Sequence, residues 1–364
     1  MPRVSNQSLC DKAKVSVAMI TYNHENFIAQ AIESVLMQET DFQVELILGE
    51  DCSTDGSRRI VREYADKYPH VIRALLPEHN LGMQKNGAAV FDACKGEYIA
   101  CLEGDDYWTC PDKLQKQVEI LENNQEYGLV YTDVDFYYQD TGRHVPALFR
   151  NGHHRSSDFI DHLVTKGFLA PMTWMFRRDC SPNSSVYEAK DYTDVSFAFL
   201  LDVFATSKVF YLDIVTAVRR VVPGSASYQT DKIKKFKYIK GIFDIQKQYI
   251  AKYNVSNDLK NQIYHQNYLL LLKGAIIVQD LEFINETRIY FDNLENQFAF
   301  LEDCIQSFIT IEQTLTSEID QLRVSKSYRL GRLLLTPCYF MRGLIKSIRN
   351  AVSSSYRIFN LLTK

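Results

Sequence analysis

Residues Tyr98–Trp108 read YIACLEGDDYW. The first five, Tyr98–Leu102, form an apolar run of strand length. It stops at three carboxylates within four positions: Glu103, Asp105 and Asp106. A short apolar run ending so sharply reads as a buried strand, with its polar end at the rim of a sheet. Like charges crowded there repel, and burying them without a counter-charge is costly. The cluster therefore calls for a cation.

Upstream of this stretch, strand and helix patterns alternate. Val15–Thr21 (VSVAMIT) and Val44–Gly49 (VELILG) are short strand signals, and Val71–Leu76 is a third. Between them lie helical patterns. The first carries Phe27, Ala31, Ile32, Val35 and Leu36 at helical spacing; the second follows Ser53 or Thr54 as its expected cap. A third helix is expected at Met83–Lys95 and a fourth at Pro111–Asn124. This alternation predicts an α/β fold with a mostly parallel, Rossmann-like central sheet and helices on both faces. Ligands of such sheets bind beyond the carboxyl ends of the strands. The segments TYN, EDCSTDGS and EGDDYW all fall at such ends and should share one rim.

Beyond residue 124 the alternation weakens. YGLVYTDVDFYY, TWMFRR and KVFYLDIVTAVRRV read as strands, and Phe197–Phe204 as helix. From about Asp231 long helical patterns run on with few turn signals. Leu301, Phe308, Leu315 and Leu322 recur every seven residues, a spacing for a short coiled coil or for a helix packed on the body.

The chain of 364 residues carries a net charge of −4, but unevenly. From Gln321 onward there are nine Lys or Arg and no Asp or Glu, leaving 32 basic against 45 acidic residues before it. Met341, Leu344, Ile345 and Ile348 lie on one helical face and Arg342, Lys346 and Arg349 on the other, a pattern suited to an anionic lipid surface. The alternative is a helix docked on the acidic body. With no recognition motif and no basic body, nucleic acid is excluded as a partner. None of the eight cysteines forms a C-x-x-C pair, so neither a disulfide framework nor a zinc site is expected. The first residues lack an apolar leader core, and no 18-residue apolar run is present. A cytoplasmic protein, peripheral at the inner face of the cell membrane through its tail, is the expectation.

The carboxylates admit three uses: holding a divalent cation, acid–base work, or a solvated acidic turn. A second acidic motif at a neighbouring strand end favours the cation. Mg²⁺ or Mn²⁺ takes hard oxygen ligands and leaves positions for substrate phosphates.

In this order and spacing, VSVAMITYNHENFIAQAIESVLMQ, ELILGEDCSTDGSRRIV, NLGMQKNGAAVFDACKGEYIACLEGDDYW and PDKLQKQVEILE resemble the nucleotide-sugar-binding half of a family 2 glycosyltransferase with the GT-A fold. The resemblance covers residues 15–124 and is of the bacterial surface-polysaccharide type. It implies that Thr21 and Tyr22 contact the nucleotide base and that Asp51 accepts hydrogen bonds from base or ribose. Lys85 then lies near the nucleotide. Asp106 becomes the direct metal ligand, with Asp105 on ribose or metal and Glu103 sharing either task. Glu50 stands where the family more often has Asp, and Cys52 where it often has Gly. In EAKDYTDVSFAFLL the general base would be Asp194, or Asp191 as the alternative; Asp194 reads equally well as a helix cap. Trp174 borders the acceptor or lies in the core. Arg220 takes the place of a family arginine, on diphosphate oxygens or on a structural carboxylate, and Arg219 stands where the family usually has Tyr.

The implied activity is a metal-dependent, inverting transfer of a sugar from a nucleotide-diphosphate donor, UDP favoured. The implied acceptor is a saccharide, lipid-linked by the tail's character. The implied organisation is an extension at 1–14 and a GT-A domain at 15–230, divided at 124 into nucleotide-sugar and acceptor halves. A helical region follows at 231–325, able to support a homo-oligomer, and a basic tail at 326–364. Two other classes compete. A nucleotidyltransferase would need a Gly- and Lys-containing phosphate loop, which ITYNHENF lacks. An inactive GT-A-like scaffold would bind neither metal nor nucleotide.

Overall fold

The computed structural model describes residues 13–180, 192–222, 231–278 and 280–292. Strand β1 (Val15–Thr21) pairs in parallel with β2 (Val44–Glu50) on one side and β4 (Tyr98–Glu103) on the other, and β3 (Ile72–Leu75) extends β2 outward. Helices α1 (Ile28–Leu36), α2 (Ser57–Lys67) and α3 (Met83–Ala93) make the crossovers. The first two move the chain from β1 towards β3, and the third returns it past β1 to β4. Because parallel crossovers are right-handed, this reversal puts α3 on the face opposite α1 and α2. The order switches between β1 and β4, so a crevice opens at Thr21 and Glu103. Val17, Met19, Leu46, Ile47 and Leu48 are fully buried between the two helical layers. Near-continuous apolar strands are what a sheet covered on both faces requires.

The second half of the sheet is mixed. In the order β3-β2-β1-β4-β8-β6-β9-β5, strand β8 (Met175–Arg177) is antiparallel to both β4 and β6 (Tyr127–Tyr138). Strand β9 (Lys208–Val221) runs parallel to β6 with register shifts near Asp133, and β5 (Tyr107–Trp108) lies antiparallel on β9. A short strand β7 (His144–Val145) pairs with β6. The expected α/β class and its Rossmann-like half are present, and the continuous parallel part is confined to four strands. Helix α4 (Lys113–Asn123) packs on β6 and β8, α5 is Phe159–Thr165, and α6 (Val195–Thr206) packs on β6 and β9.

Several boundaries differ from expectation. The expected caps Ser53 and Thr54 do not start α2, whose N-cap is Gly56. Both are used instead to tie two strand ends together. Asn23 N donates to Ser53 Oγ at 2.9 Å, and Thr54 N donates to Asn23 Oδ1 at 2.8 Å. TWMFRR provides only the three-residue β8, because Pro171–Thr173 forms a 3-10 turn before it.

Three more helices follow: α7 (Lys232–Lys252), α8 (Asn257–Val278) and α9 (Leu281–Asp292). The chain divides into two compact units. One holds residues up to Thr230 together with Gly241–Tyr253; the other holds Asp231–Lys240 and the residues from Asn254 onward. In the first, the Tyr249 hydroxyl of α7 donates to Asp202 Oδ2 of α6 at 2.6 Å. In the second, the Tyr268 ring lies 5.6 Å from that of Phe283 and 4.6 Å from that of Tyr290. Among the described residues no helix is long and apolar enough to cross a membrane. The heptad at 301–322 and the basic tail lie outside the described residues.

Candidate active site

The crevice is built from the carboxyl ends of β1, β2 and β4. Thr21 closes β1 in a buried position, and its Oγ1 lies 3.2 Å from His24 Nδ1. Gly104 passes directly over it: a Cβ on Gly104 would stand 2.4 Å from Thr21 Oγ1 and 2.7 Å from Thr21 Cβ. A β-branched buried side chain cannot retreat from that contact, so glycine is what lets the chain turn here. Gly104 N donates to Ile20 O at 2.9 Å and Asp106 N to Glu103 O at 3.1 Å, which folds the three acidic residues back on one another.

Oxygens of Glu103, Asp105 and Asp106 consequently lie within 4.8 Å of one another. Asp106 is 1% exposed, and its Oδ1 accepts from Arg220 N at 2.7 Å. Burial, then the neighbouring Asp105 and Glu103 charges, pushes the Asp106 carboxyl well above the usual carboxylate range. Burial and the Asp105 charge push Glu103 up to about 7, while Arg219 opposes the rise. Three convergent hard oxygen donors fit a divalent cation, which would remove the repulsion that raises Glu103 and Asp106.

Around this cluster the expected residues fall as follows. Asp51, at the end of β2, is buried, and its two carboxylate oxygens accept from Leu81 N at 2.7 Å and Gly82 N at 2.9 Å. Two backbone donors fix its plane at the rim and leave lone pairs for further donors. Glu50 accepts from Ser53 N and pairs with Arg58, so it serves the loop and faces no ligand. Cys52, where glycine was the family expectation, adopts a φ of +55°. Tyr22 is 42% exposed, leaving its ring available for stacking. Lys85 is exposed on the first turn of α3.

Arg220 is committed to the fold. Its Nη1 donates to Asp105 O at 2.7 Å and its Nη2 to Gln30 Oε1, and its guanidinium lies 5.0 Å from the Phe27 ring centroid and 4.5 Å from that of Tyr107. It braces the acidic turn from behind, which corrects the expectation of diphosphate contact. Trp174 needs correction too. It is 3% exposed, with its ring stacked on Phe199 at 5.7 Å and 14°, so the core covers the face expected to meet a sugar.

Asp194 is the N-cap of α6, with Oδ1 accepting from Phe197 N at 3.0 Å. Its charge also reaches Glu103, so the capping group lies on the same rim. Asp191 lies outside the described residues. Two residues at the cluster were not expected as site residues. His24 Nε2 is 4.0 Å from Asp105 Oδ2, and Arg219 bears electrostatically on Glu103 and Asp106. For His24, three positions past the end of β1, the sequence signal was nearness to the rim; for Arg219 it was the replaced tyrosine.

The profile of Glycosyl transferase family 2 matches residues 16–182. The uncharacterized protein Rv1520 of Mycobacterium tuberculosis is 36% identical over 167 residues, 46% of this chain and 48% of that one, so the chain spans about half the length of the curated relatives it matches. Among solved structures, TarS 1-349 of S. aureus in complex with UDP-GlcNAc has a TM-score of 0.51 at 19% identity, covering 94% of this chain and 91% of that one. The mannosyltransferase PcManGT of Pyrobaculum calidifontis, in complex with GDP-Man and Mn²⁺, has a TM-score of 0.51 at 13% identity, covering 94% and 90%. Residues 16–182 thus carry the match to the Glycosyl transferase family 2 model, and the sheet has the GT-A fold of the similar solved structures.

Proposed function

We propose that the protein transfers a sugar from a nucleoside-diphosphate donor, UDP-linked in first preference, to a saccharide acceptor by metal-dependent inverting displacement. The observation that carries this is the convergent Glu103–Asp105–Asp106 cluster at the strand-order switch, with Asp106 buried and the other two partly exposed. The nucleotide-sugars bound by TarS and PcManGT, and the Mn²⁺ of the latter, support the donor class and the metal. Mn²⁺ or Mg²⁺, held by Asp106 with Asp105 and Glu103, would supply Lewis-acid stabilisation of the diphosphate leaving group. Tyr22 stacks on the base, and the Asp51 carboxylate accepts from base or ribose. Lys85 stands on the helix above the same opening.

The acceptor hydroxyl is a poor nucleophile and needs a general base on the sugar face opposite the leaving group. Asp194 fills this role. Support for this comes from its place at the start of α6 and from its charge, which bears on Glu103 of the cluster. Attack from that side inverts the anomeric centre. The basic tail, outside the described residues, favours a lipid-linked acceptor at a membrane surface and a peripheral cytoplasmic location; this part of the proposal rests on sequence alone.

Thermal-shift measurement tests the reading. UDP, GDP, CDP and dTDP and their sugars are each added with Mn²⁺, Mg²⁺ or EDTA. A ligand bound only by the native state raises Tm with its concentration. One nucleotide is expected to stabilise the protein in a metal-dependent way, and Asp106→Ala to abolish that shift. No shift with any nucleotide, on folded protein, would overturn the proposal in favour of a scaffold.

A further inference from the structure

Arg219 and Arg220 are consecutive on β9, so their side chains leave opposite faces of the sheet. Arg220 is spent on the acidic turn, as described. Arg219 lies against two aromatic rings that meet edge-to-face at 6.1 Å, its guanidinium 5.2 Å from the Phe136 centroid and 5.1 Å from the Phe168 centroid. Phe136 is its register partner on β6. The Arg219 backbone belongs to the β6–β9 ladder, and among the described residues its guanidinium makes no hydrogen bond and no ion pair. It bears on the ionisation of Glu103 and Asp106 without pairing with either.

An arginine in this setting is a prepared ligand site. The guanidinium offers five N–H donors in a planar fork that matches carboxylate and phosphate oxygens. The two rings fix its plane through cation–π contact, so little side-chain freedom remains to be lost on binding. The wall continues on the far side of Phe168, where the His153 ring lies at 6.2 Å. The nearest arginine on the neighbouring loop, Arg150, is already engaged by Asp213 at 3.0 Å.

Position decides which substrate meets it. The expected base-binding and metal-binding groups lie at the ends of β1, β2 and β4. Arg219 lies on the β6–β9 side, where α6 packs and Asp194 caps it. We propose that Arg219, held against the Phe136–Phe168 ring pair, recognises an oxyanion of the acceptor, a carboxylate or a phosphate, and so selects acidic saccharide acceptors. This rests on the glycosyltransferase reading above and adds to it the class of acceptor. The neighbouring carboxylates repel any second anion until a divalent cation offsets them, so acceptor-anion binding should require the metal.

The test uses full-length protein with Mn²⁺ and whichever nucleoside diphosphate stabilises it. Glucuronate and glycerol 3-phosphate are compared with glucose and glycerol by saturation-transfer NMR and calorimetry. The acidic probes are expected to bind and the neutral ones not. Arg219→Gln should weaken the acidic probes about ten- to hundredfold, the loss of charge-assisted hydrogen bonds, with a clearly smaller change in nucleotide Kd. Equal behaviour of acidic and neutral probes with the wild type overturns the proposal. Nucleotide binding that falls as far as probe binding in Arg219→Gln also overturns it, because Arg219 is then a donor-side group. If the wild type binds no nucleotide, it is the glycosyltransferase reading that fails; the same probes with Mn²⁺ alone still decide whether Arg219 is an anion site. Should Arg219→Gln not melt cooperatively, Arg219→Lys replaces it. Lysine keeps the charge and loses the fork, so weaker probe binding is expected and unchanged binding overturns the inference.

Discussion

The two halves of the sheet treat their rim residues differently. In the parallel half, polar groups are tied by loops close in sequence or by the adjacent strand end: Asp51 to the amides of Leu81 and Gly82, Glu50 to Arg58 and Ser53, Thr21 to His24. In the mixed half, the Arg219 guanidinium rests on aromatic faces and makes no hydrogen bond among the described residues. The first arrangement presents fixed acceptors and a carboxylate cluster to a donor of constant chemistry. The second leaves hydrogen-bonding capacity on the side where the acceptor would enter. On the proposed function, the first half would meet the donor and the second the acceptor.

The largest effect expected is at Asp194, where the halves meet. Asparagine caps a helix about as well as aspartate but is no base. Asp194→Asn should therefore lower kcat about 10²–10⁴-fold with Tm nearly unchanged. Asp194→Ala should lower kcat similarly and also cost about 1 kcal/mol of stability. An Asp194→Asn variant with wild-type turnover would reduce Asp194 to a cap, and the acceptor side would need another base.

How much of this was legible in the sequence follows the same division. β1, β6 and β9 run where their apolar patterns place them, and the acidic end of β4 brings its three carboxylates together. Strands β5 and β7 escaped, because two residues carry no periodicity, and β5 exists through a partner distant in sequence, Trp108 with Ala217. Helix α5 escaped as well; it is seven residues long, with an Asp158 cap and no clear apolar repeat. At the site, residues fixed by local loops were found. Those fixed by a distant strand, Arg219 and the bracing role of Arg220, needed the register between β6 and β9 to be seen. Trp174 was misplaced because sequence does not show that Phe199 covers its ring.

A pH series separates the rim from the core beneath it. Without metal, Glu103 keeps its proton in the folded state up to about 7, whereas an ordinary glutamate loses it near 4.5. The folded state therefore binds more protons across that window, and this group's contribution to stability falls as pH rises through it. Lys113 behaves oppositely. It is fully buried, hydrogen-bonded to Gln117 at 2.7 Å and 4.2 Å from the Trp108 ring centroid, and burial brings its pKa down to about 7. The unfolded chain holds that proton up to about 10.5, so its contribution rises from pH 7 to 10.5. In EDTA, Glu103→Gln should gain stability over the wild type increasingly from pH 4.5 to 7, and Mn²⁺ should reduce that gain. Lys113→Met should lose the upward limb above pH 7 with or without Mn²⁺. Identical pH profiles for wild type and both variants would show that neither group is perturbed.

The smallest effect concerns Cys52, the residue that departs from the family's glycine in the parallel half. At φ +55° a side chain meets the following carbonyl, a strain of about 1–2 kcal/mol per residue that glycine escapes. Glycine gives back part of this, about 0.5–1 kcal/mol, through the extra freedom of the unfolded chain. The long contact of Cys52 Sγ with Glu78 O, at 3.5 Å, adds little on the cysteine side. Cys52→Gly should therefore stabilise the protein by about 0.5 kcal/mol, a rise of about 1–2 °C in Tm, with nucleotide binding unchanged because Asp51 keeps its two amide donors. A fall in Tm would mean that the thiol's contact in the loop outweighs the backbone strain. Unchanged stability with weaker nucleotide binding would give Cys52 a role in shaping the base site, and the parallel half would then be less preset than its hydrogen bonds indicate.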